Sequence, residues 1–84
     1  RLDDRSKGAF YCLQGDILRL EGKEPDALYA YMRVVVQHPT DRDLQAHSID
    51  WALFLSEKLQ YKDTAGMLTT ELSRRFPSYK RQAK

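Results

Sequence analysis

Apolar residues recur along this chain at the three- and four-residue spacing of an α-helix. The first segment shows this spacing clearly, in an apolar stripe formed by Phe10, Leu13, Ile17 and Leu20. Gly22 suits the left-handed turn that ends many helices, and Pro25 suits the first turn of the next one. The pattern predicts four helices, near residues 4–21, 25–37, 41–60 and 64–75, and no strand of useful length.

Two prolines and two alanines divide the chain into two similar units. Pro39 and Pro77 are 38 residues apart, and so are Ala27 and Ala65. Each unit consists of a helix, a short turn, a second helix and a proline. A repeat period between about 20 and 50 residues indicates a stack of similar helical units.

The first unit resembles a tetratricopeptide repeat. With Pro39 at the family's terminal proline, the first-helix positions of the family pattern fall on Tyr11, Gly15 and Leu18. The second-helix positions fall on Ala27, Tyr31 and Val34. Gln14 departs from the family's usual Leu, and Val34 departs from its usual Ala.

Small residues are needed where the two helices of a hairpin cross, because only short side chains let the backbones approach closely. Gly15 and Ala27 supply such a pair in the first unit. We therefore expect these two residues to face each other. Tyr31 can then fill the wedge between neighbouring hairpins.

The second unit is a degenerate copy of the first. Ala52 can take the small position at the crossing, and Ala65 and Pro77 match the second helix. The match requires about three extra residues between the units and one in the hairpin turn. Ser48 and Thr69 stand where the family usually has aromatic residues.

The resemblance implies one all-α domain over residues 1–84, built as a right-handed stack of antiparallel helix hairpins. Repeat one would cover about residues 8–39 and repeat two about 45–77, with the start of a third helix pair after Ser78. The chain begins at Arg1 without a methionine, so we expect it to be a piece of a longer protein. The Phe76-Pro77-Ser78 ending looks most like repeats of bacterial cell-envelope proteins, namely outer-membrane-assembly lipoproteins and the Tol–Pal coordinator. That likeness leaves the periplasm, the envelope and the cytoplasm open.

In the tetratricopeptide family, the first helix of each hairpin lines a concave groove that holds a peptide or a partner helix. The resemblance therefore implies a scaffold for protein–protein interaction. The positions implied to line the groove are Ala9, Cys12, Asp16, Arg19, Ala46, Ile49, Leu53 and Glu57. Two alternatives are a structural spacer or dimerisation unit of a larger envelope protein, and a basic module that binds nucleic acid.

A repeat array buries its core only between neighbouring units, so an open end leaves apolar residues bare. We expect such a face on repeat two, because the sequence includes only the beginning of the third hairpin that would cover it. Its contributors would be Leu55, Leu59, Leu68 and Leu72, with Trp51 at the edge. This face predicts self-association, as a two-fold dimer or by borrowing a neighbour's helix.

Charge adds little to this picture. The net charge is only +2, and charged residues make up 31% of the chain, as in ordinary folded proteins. Basic residues cluster at the C-terminal end, at Arg74, Arg75, Lys80, Arg81 and Lys84. Cations near a helix C-terminus complement its dipole, so nucleic acid is not the expected partner. No apolar run approaches the roughly 20 residues of a membrane span.

Candidate chemistry is sparse, and the sequence predicts no enzyme, no catalytic residue and no cofactor. Asp41 and Asp43 open a helix, where acids are expected in any case. His47 and Asp50 lie three residues apart and could share a metal, but a zinc site needs at least three protein ligands. We therefore expect a surface hydrogen bond between them and no metal. Cys12, the only cysteine, excludes an internal disulfide and is expected to be a packed or groove-lining thiol.

Overall fold

The computed structural model describes residues 4–37 and 42–83 of the chain. These two ranges contain four helices and no strand. The helices are α1 (Asp4–Leu20), α2 (Glu24–Gln37), α3 (Arg42–Lys58) and α4 (Lys62–Arg75). The apolar spacing predicted all four, and each predicted end lies within two residues of the observed one. None of these helices is long and apolar enough to cross a membrane.

Both hairpin turns use one residue with a left-handed backbone. Gly22 ends α1 with φ of 79°, and the N–H of Lys23 donates to the carbonyl of Leu18 at 2.9 Å. Gln60 follows α3 with φ of 64°, and the Tyr61 N–H donates to the Ser56 carbonyl at 2.8 Å. These backbone bonds pair carbonyl groups that the helix ends would otherwise leave unpaired. The prediction for Gly22 is confirmed.

The helices pack in chain order, since α1 packs on α2, α2 on α3 and α3 on α4, while α1 also reaches α3. Burial is concentrated where α2, α3 and α4 meet. The core contains Ala27, Leu28, Tyr31, Ala46, Ile49, Ala52, Leu53, Leu55, Leu68, Leu72 and Phe76. Removing these side chains from water is the main favourable term in the folding of so short a chain.

Gly15 marks the closest approach of α1 to α2. A Cβ atom built on Gly15 would lie 2.8 Å from both Cδ1 and Cε1 of Tyr31. The three nearest heavy atoms all belong to the Tyr31 ring, so the ring fills the space in which Ala27 was expected. Ala27 is fully buried nearby in the core. The tight crossing at Gly15 is therefore present, with Tyr31 as the residue that limits it.

The residues after α4, which we call the C-terminal segment (residues 76–83), are not helical. The expected start of a third helix pair after Ser78 is therefore wrong for residues 78–83. The segment turns at Phe76, whose carbonyl accepts from the Tyr79 N–H at 3.0 Å, and then bonds to α3. Asp50 Oδ2 accepts from the Tyr79 hydroxyl at 2.9 Å and from the Gln82 N–H at 2.8 Å.

The apolar face expected at the open end of repeat two is not bare. Leu55 and Leu68 are fully buried, Leu72 is nearly so, and Leu59 is partly buried against the core. Phe76 and Tyr79 of the C-terminal segment join α3 and α4 in covering this part of the core. Trp51, expected at the edge of this face, lies beside Arg19 of α1 instead. The basis for self-association through repeat two is thus removed.

Candidate functional site

The eight positions implied to line a groove divide into two groups. Ala9 and Glu57 are exposed, and Asp16 and Arg19 are partly exposed. The remaining four are buried, namely Cys12, Ala46, Ile49 and Leu53. Only the first group offers side chains to a partner from solution.

The α3 positions differ most from the expectation. Ile49 is 0% exposed and Leu53 is 2% exposed, because both point into the core between helices. The partly exposed residues of α3 near α1 are His47 and Trp51, which lie on a different side of the helix. The second unit matched the repeat pattern only with extra residues, and the residues of α3 that contact α1 are not the aligned ones. Glu57 is exposed but accepts from Arg81 Nη2 at 2.9 Å.

The surface where α1 meets α3, here called the α1–α3 groove, is made of Asp16, Arg19, His47 and Trp51, with Cys12 at its floor. His47 Nε2 lies 2.9 Å from Asp16 Oδ1. The Arg19 guanidinium stacks on Trp51, 3.7 Å from the ring centroid. These two contacts join the first and second hairpins through polar and aromatic groups.

Tyr31 reaches the same groove from α2. Its hydroxyl donates a hydrogen bond to Asp16 Oδ1 and accepts one from Arg19 Nε at 3.1 Å. Burial raises the pKa of Tyr31, and the bond to Asp16 raises it further, so the phenol stays protonated and keeps donating. One oxygen of Asp16 is therefore bonded to both Tyr31 and His47, and it links three helices.

Cys12 completes a cluster of three potential metal ligands. Cys12 and Asp16 lie one turn apart on α1, and His47 faces them from α3. The thiol sulfur, a carboxylate oxygen and a ring nitrogen all lie within 4.8 Å of one another. The sequence singled out His47 as a candidate ligand and placed Cys12 and Asp16 in the groove. It did not connect them, because His47 is distant along the chain.

The expected hydrogen bond between His47 and Asp50 is not formed. His47 bonds to Asp16, while Asp50 is 1% exposed and is held by the C-terminal segment. Its partners there include the Ala83 N–H at 3.2 Å and Arg81 Nε at 3.4 Å. The pKa of Tyr79, which also bonds to Asp50, is raised to about 12, first by burial and then by that bond.

A second surface feature is the apolar stripe on α1, which we call the α1 stripe (Phe10, Leu13, Ile17 and Leu20). The exposed fractions of these residues are 51%, 59%, 49% and 77%. No other part of the described chain covers this side of α1. The periodicity that predicted the helix thus arises partly from a face that is turned to solvent.

The basic residues near the C-terminal end are largely paired with acids. Arg74 Nη2 lies 2.6 Å from Glu71, which lowers the pKa of that carboxyl group, and Arg75 Nη1 lies 3.6 Å from it. Arg81 pairs with Glu57 and Asp50. Three of the five cations in the cluster are therefore partly neutralised within the chain.

Comparison of the chain with protein-family models, with curated proteins and with solved structures finds no match. The geometry of the α1–α3 groove and of the α1 stripe therefore carries the functional proposals.

Proposed function

We propose that this chain is a protein-binding module of the tetratricopeptide kind, and that its partner is an amphipathic helix packed along α1. The exposure of the α1 stripe carries this proposal. Four large apolar side chains lie on one helix face, and each is 49% exposed or more. Contiguous exposed apolar surface on a small protein marks an interaction site.

The spacing of the α1 stripe favours a helix as the partner. Phe10, Leu13, Ile17 and Leu20 follow the i, i+3, i+7 and i+10 pattern of a helical ridge. At 1.5 Å per residue the ridge is about 15 Å long, or roughly three turns. A ridge of this kind fits the groove between the side-chain rows of a second helix.

The surroundings of the α1 stripe also suit such a partner. Ala9, the exposed small residue from the implied groove, lets a partner backbone approach α1 closely. Asp16 and Arg19 are partly exposed on the side of α1 that faces α3, next to the side that carries Ala9. The buried groove positions Ile49 and Leu53 take no part, so the proposed surface lies on α1 alone.

A structural role is the second candidate, and the same exposure favours it. Another hairpin of a longer protein, or a second copy of this chain, would cover the α1 stripe just as a partner helix would. The two candidates differ in what covers the α1 stripe and in whether the covering element belongs to the same protein. A dimer that uses this face would be lost on replacing residues of the α1 stripe.

The test uses a displayed library of amphipathic helical peptides selected against the intact chain. We expect the selected peptides to bind the wild type and to lose affinity on Leu13→Gln and on Ile17→Gln. Burial of one such side chain stabilises a complex by about 1.5–3 kcal/mol, so each replacement is expected to weaken binding tenfold or more. Met67→Gln is the control, because Met67 is equally exposed but lies on α4.

Unfolding curves of the three variants should match the wild type, because the replaced side chains are exposed. Peptides that bind Leu13→Gln and wild type equally would contradict the proposed surface. Sedimentation of the wild type across a concentration series measures its oligomeric state. This measurement separates the second candidate, in which another copy can cover the α1 stripe, from the first. A dimer that Ile17→Gln dissociates and Met67→Gln leaves intact would identify a second copy as the occupant.

A further inference from the structure

We propose that Cys12, Asp16 and His47 form a zinc-binding site in the α1–α3 groove. Their sulfur, oxygen and nitrogen donors lie within 4.8 Å of one another. The two ligands on α1 are separated by one helical turn and lie on the same side of that helix. The third comes from α3, so a bound ion would join the first hairpin to the second.

The observed distances are close to those of a zinc centre. Bond lengths of about 2.3 Å to sulfur and about 2.0–2.2 Å to nitrogen and oxygen place tetrahedral ligands roughly 3.3–3.6 Å apart. His47 Nε2 and Asp16 Oδ1 are now 2.9 Å apart, which is a hydrogen-bond distance. A metal that replaces the shared proton would open this pair slightly and draw the sulfur inward. Changes of about 1 Å in donor separation lie within the reach of side-chain rotation.

The chemistry of the three donors selects zinc over magnesium or calcium. Thiolate and imidazole are soft or borderline ligands that suit zinc, whereas magnesium and calcium prefer an all-oxygen shell. A thiolate and a carboxylate together carry two negative charges, which match the charge of the ion. Three protein ligands leave the fourth tetrahedral position for water, as in zinc sites that remain open.

Neighbouring residues already orient one of the ligands. The Tyr31 hydroxyl donates to Asp16 Oδ1, the oxygen that also faces His47, and Arg19 donates to Tyr31, so the position of the carboxylate is already held. Groups that hold a metal ligand in this way commonly change metal affinity by 10- to 100-fold. The positive charge of Arg19 competes with a metal ion for Asp16, because Arg19 Nη2 lies 3.6 Å from Asp16 Oδ1. The Arg19 guanidinium is, however, also stacked on Trp51.

An ion can reach the cluster from solution. The side chains of Asp16 and His47 are 28% and 35% exposed, whereas Cys12 is buried beneath them. The oxygen and nitrogen ligands would meet the ion first, and the thiol would close the site from below. Cys12 must lose its proton and His47 must be neutral to bind, so zinc affinity is expected to fall as the solution becomes more acidic.

The test is metal titration of the intact chain, with zinc by calorimetry and with cobalt by absorption. We expect one ion per chain, a thiolate-to-cobalt band in the near ultraviolet and visible bands of tetrahedral intensity. Cys12→Ser, Asp16→Asn and His47→Gln should each weaken zinc binding at least tenfold, and Cys12→Ser should abolish the thiolate band. Circular dichroism of the metal-free variants checks that each still folds.

Two matched controls distinguish this site from general surface binding. His38→Gln removes the chain's other histidine, and Asp43→Asn removes an exposed acid from α3, so neither should alter zinc affinity. Tyr31→Phe leaves all three ligands in place but removes the bond to Asp16. It should weaken binding by less than the loss of a ligand does.

A readout on the wild type keeps the proposal testable if a ligand variant does not fold. Because Cys12 is the only cysteine, its alkylation rate reports on one thiol, and bound zinc should slow that rate. The proposal is overturned if cobalt gives no thiolate band. It is also overturned if zinc leaves alkylation unchanged, or if His38→Gln weakens binding as much as His47→Gln does.

Discussion

A single glycine sets how closely the first two helices approach. Any side chain at Gly15 would begin with a Cβ atom 2.8 Å from the Tyr31 ring, closer than such contacts can be. The ring cannot easily yield, because its hydroxyl is bonded to Asp16 and Arg19 and the residue is fully buried. Extra volume at this position must therefore move one helix away from the other.

We expect Gly15→Ala to lower the free energy of unfolding by about 1–3 kcal/mol, and Gly15→Leu to lower it further. Chemical denaturation measures both. Gly66→Ala is the matched control, because a Cβ atom on Gly66 meets nothing within 4 Å. Replacing an exposed helical glycine by alanine should raise stability by up to about 1 kcal/mol. A Gly15→Ala protein as stable as the wild type would show that α1 can shift at no cost.

The requirement for a small residue at position 15 was predictable, but its neighbour was not. Ala27 and Tyr31 are one turn apart on the same face of α2, so the sequence pattern places both near α1. Which of them lies opposite Gly15 depends on how far α1 is displaced along α2. That displacement is fixed by the packing of the whole hairpin, which local spacing does not specify.

At the scale of whole elements, the helix ends followed from local chemistry, whereas the C-terminal segment did not. Gly22 and Pro25 are strong local signals, and they lie where α1 ends and α2 begins. After Pro77, Ser78 is a residue type that often begins a helix, yet residues 78–83 are not helical. The contacts with Asp50, about thirty residues earlier, decide the conformation instead. The spacing of residues along the sequence does not indicate a contact between residues that lie so far apart in the chain.

The docking of this segment has a direct readout in hydrogen exchange. The backbone N–H groups of Gln82 and Ala83 donate to Asp50 Oδ2 at 2.8 and 3.2 Å, so both should exchange more slowly than an unstructured chain. We expect Asp50→Ala to remove this protection, as followed residue by residue with NMR. Asp43→Ala, at an exposed acid of the same helix, should leave it intact. Equal protection with and without the Asp50 carboxylate would contradict the role assigned to it.

The charges of the whole molecule bear on its choice of partner. The net charge is only +2, and Arg74, Arg75 and Arg81 are paired with acids of the same chain. Binding to nucleic acid releases counterions only where cations are available to phosphate groups. The cluster seen in the sequence is therefore a weaker basic surface than its composition indicates.

We expect weak nucleic-acid binding without sequence preference, in the range of about 10⁻⁴–10⁻⁶ M at physiological salt. One variant would neutralise four cations of the C-terminal cluster with glutamine, at positions 74, 75, 80 and 81. A control would neutralise four lysines elsewhere, at positions 7, 23, 58 and 62. Both should lower affinity by similar factors in fluorescence titrations. Submicromolar binding that only the first variant loses would instead support the nucleic-acid alternative.

At the same scale, the ligand cluster shows what a single sequence leaves hidden. Cys12 and Asp16 are one turn apart, which the helix prediction places on one face. Their meeting with His47 depends on the angle between α1 and α3, and so on the packing of both hairpins. The residue types can be read from the sequence, whereas their proximity follows from the packing of the helices.

The contact between Gly15 and Tyr31 also bears on exchange of helices between molecules. Proteins built from similar helical units risk domain swapping, in which a similar helix of another molecule replaces the native one. The sequence pattern puts Ala52 where the second unit would have its counterpart of Gly15, and a helix with alanine at that place would bring a methyl group into the Tyr31 ring. We therefore expect Gly15 to favour α1 over α3 as the neighbour of the Tyr31 ring on that side of α2.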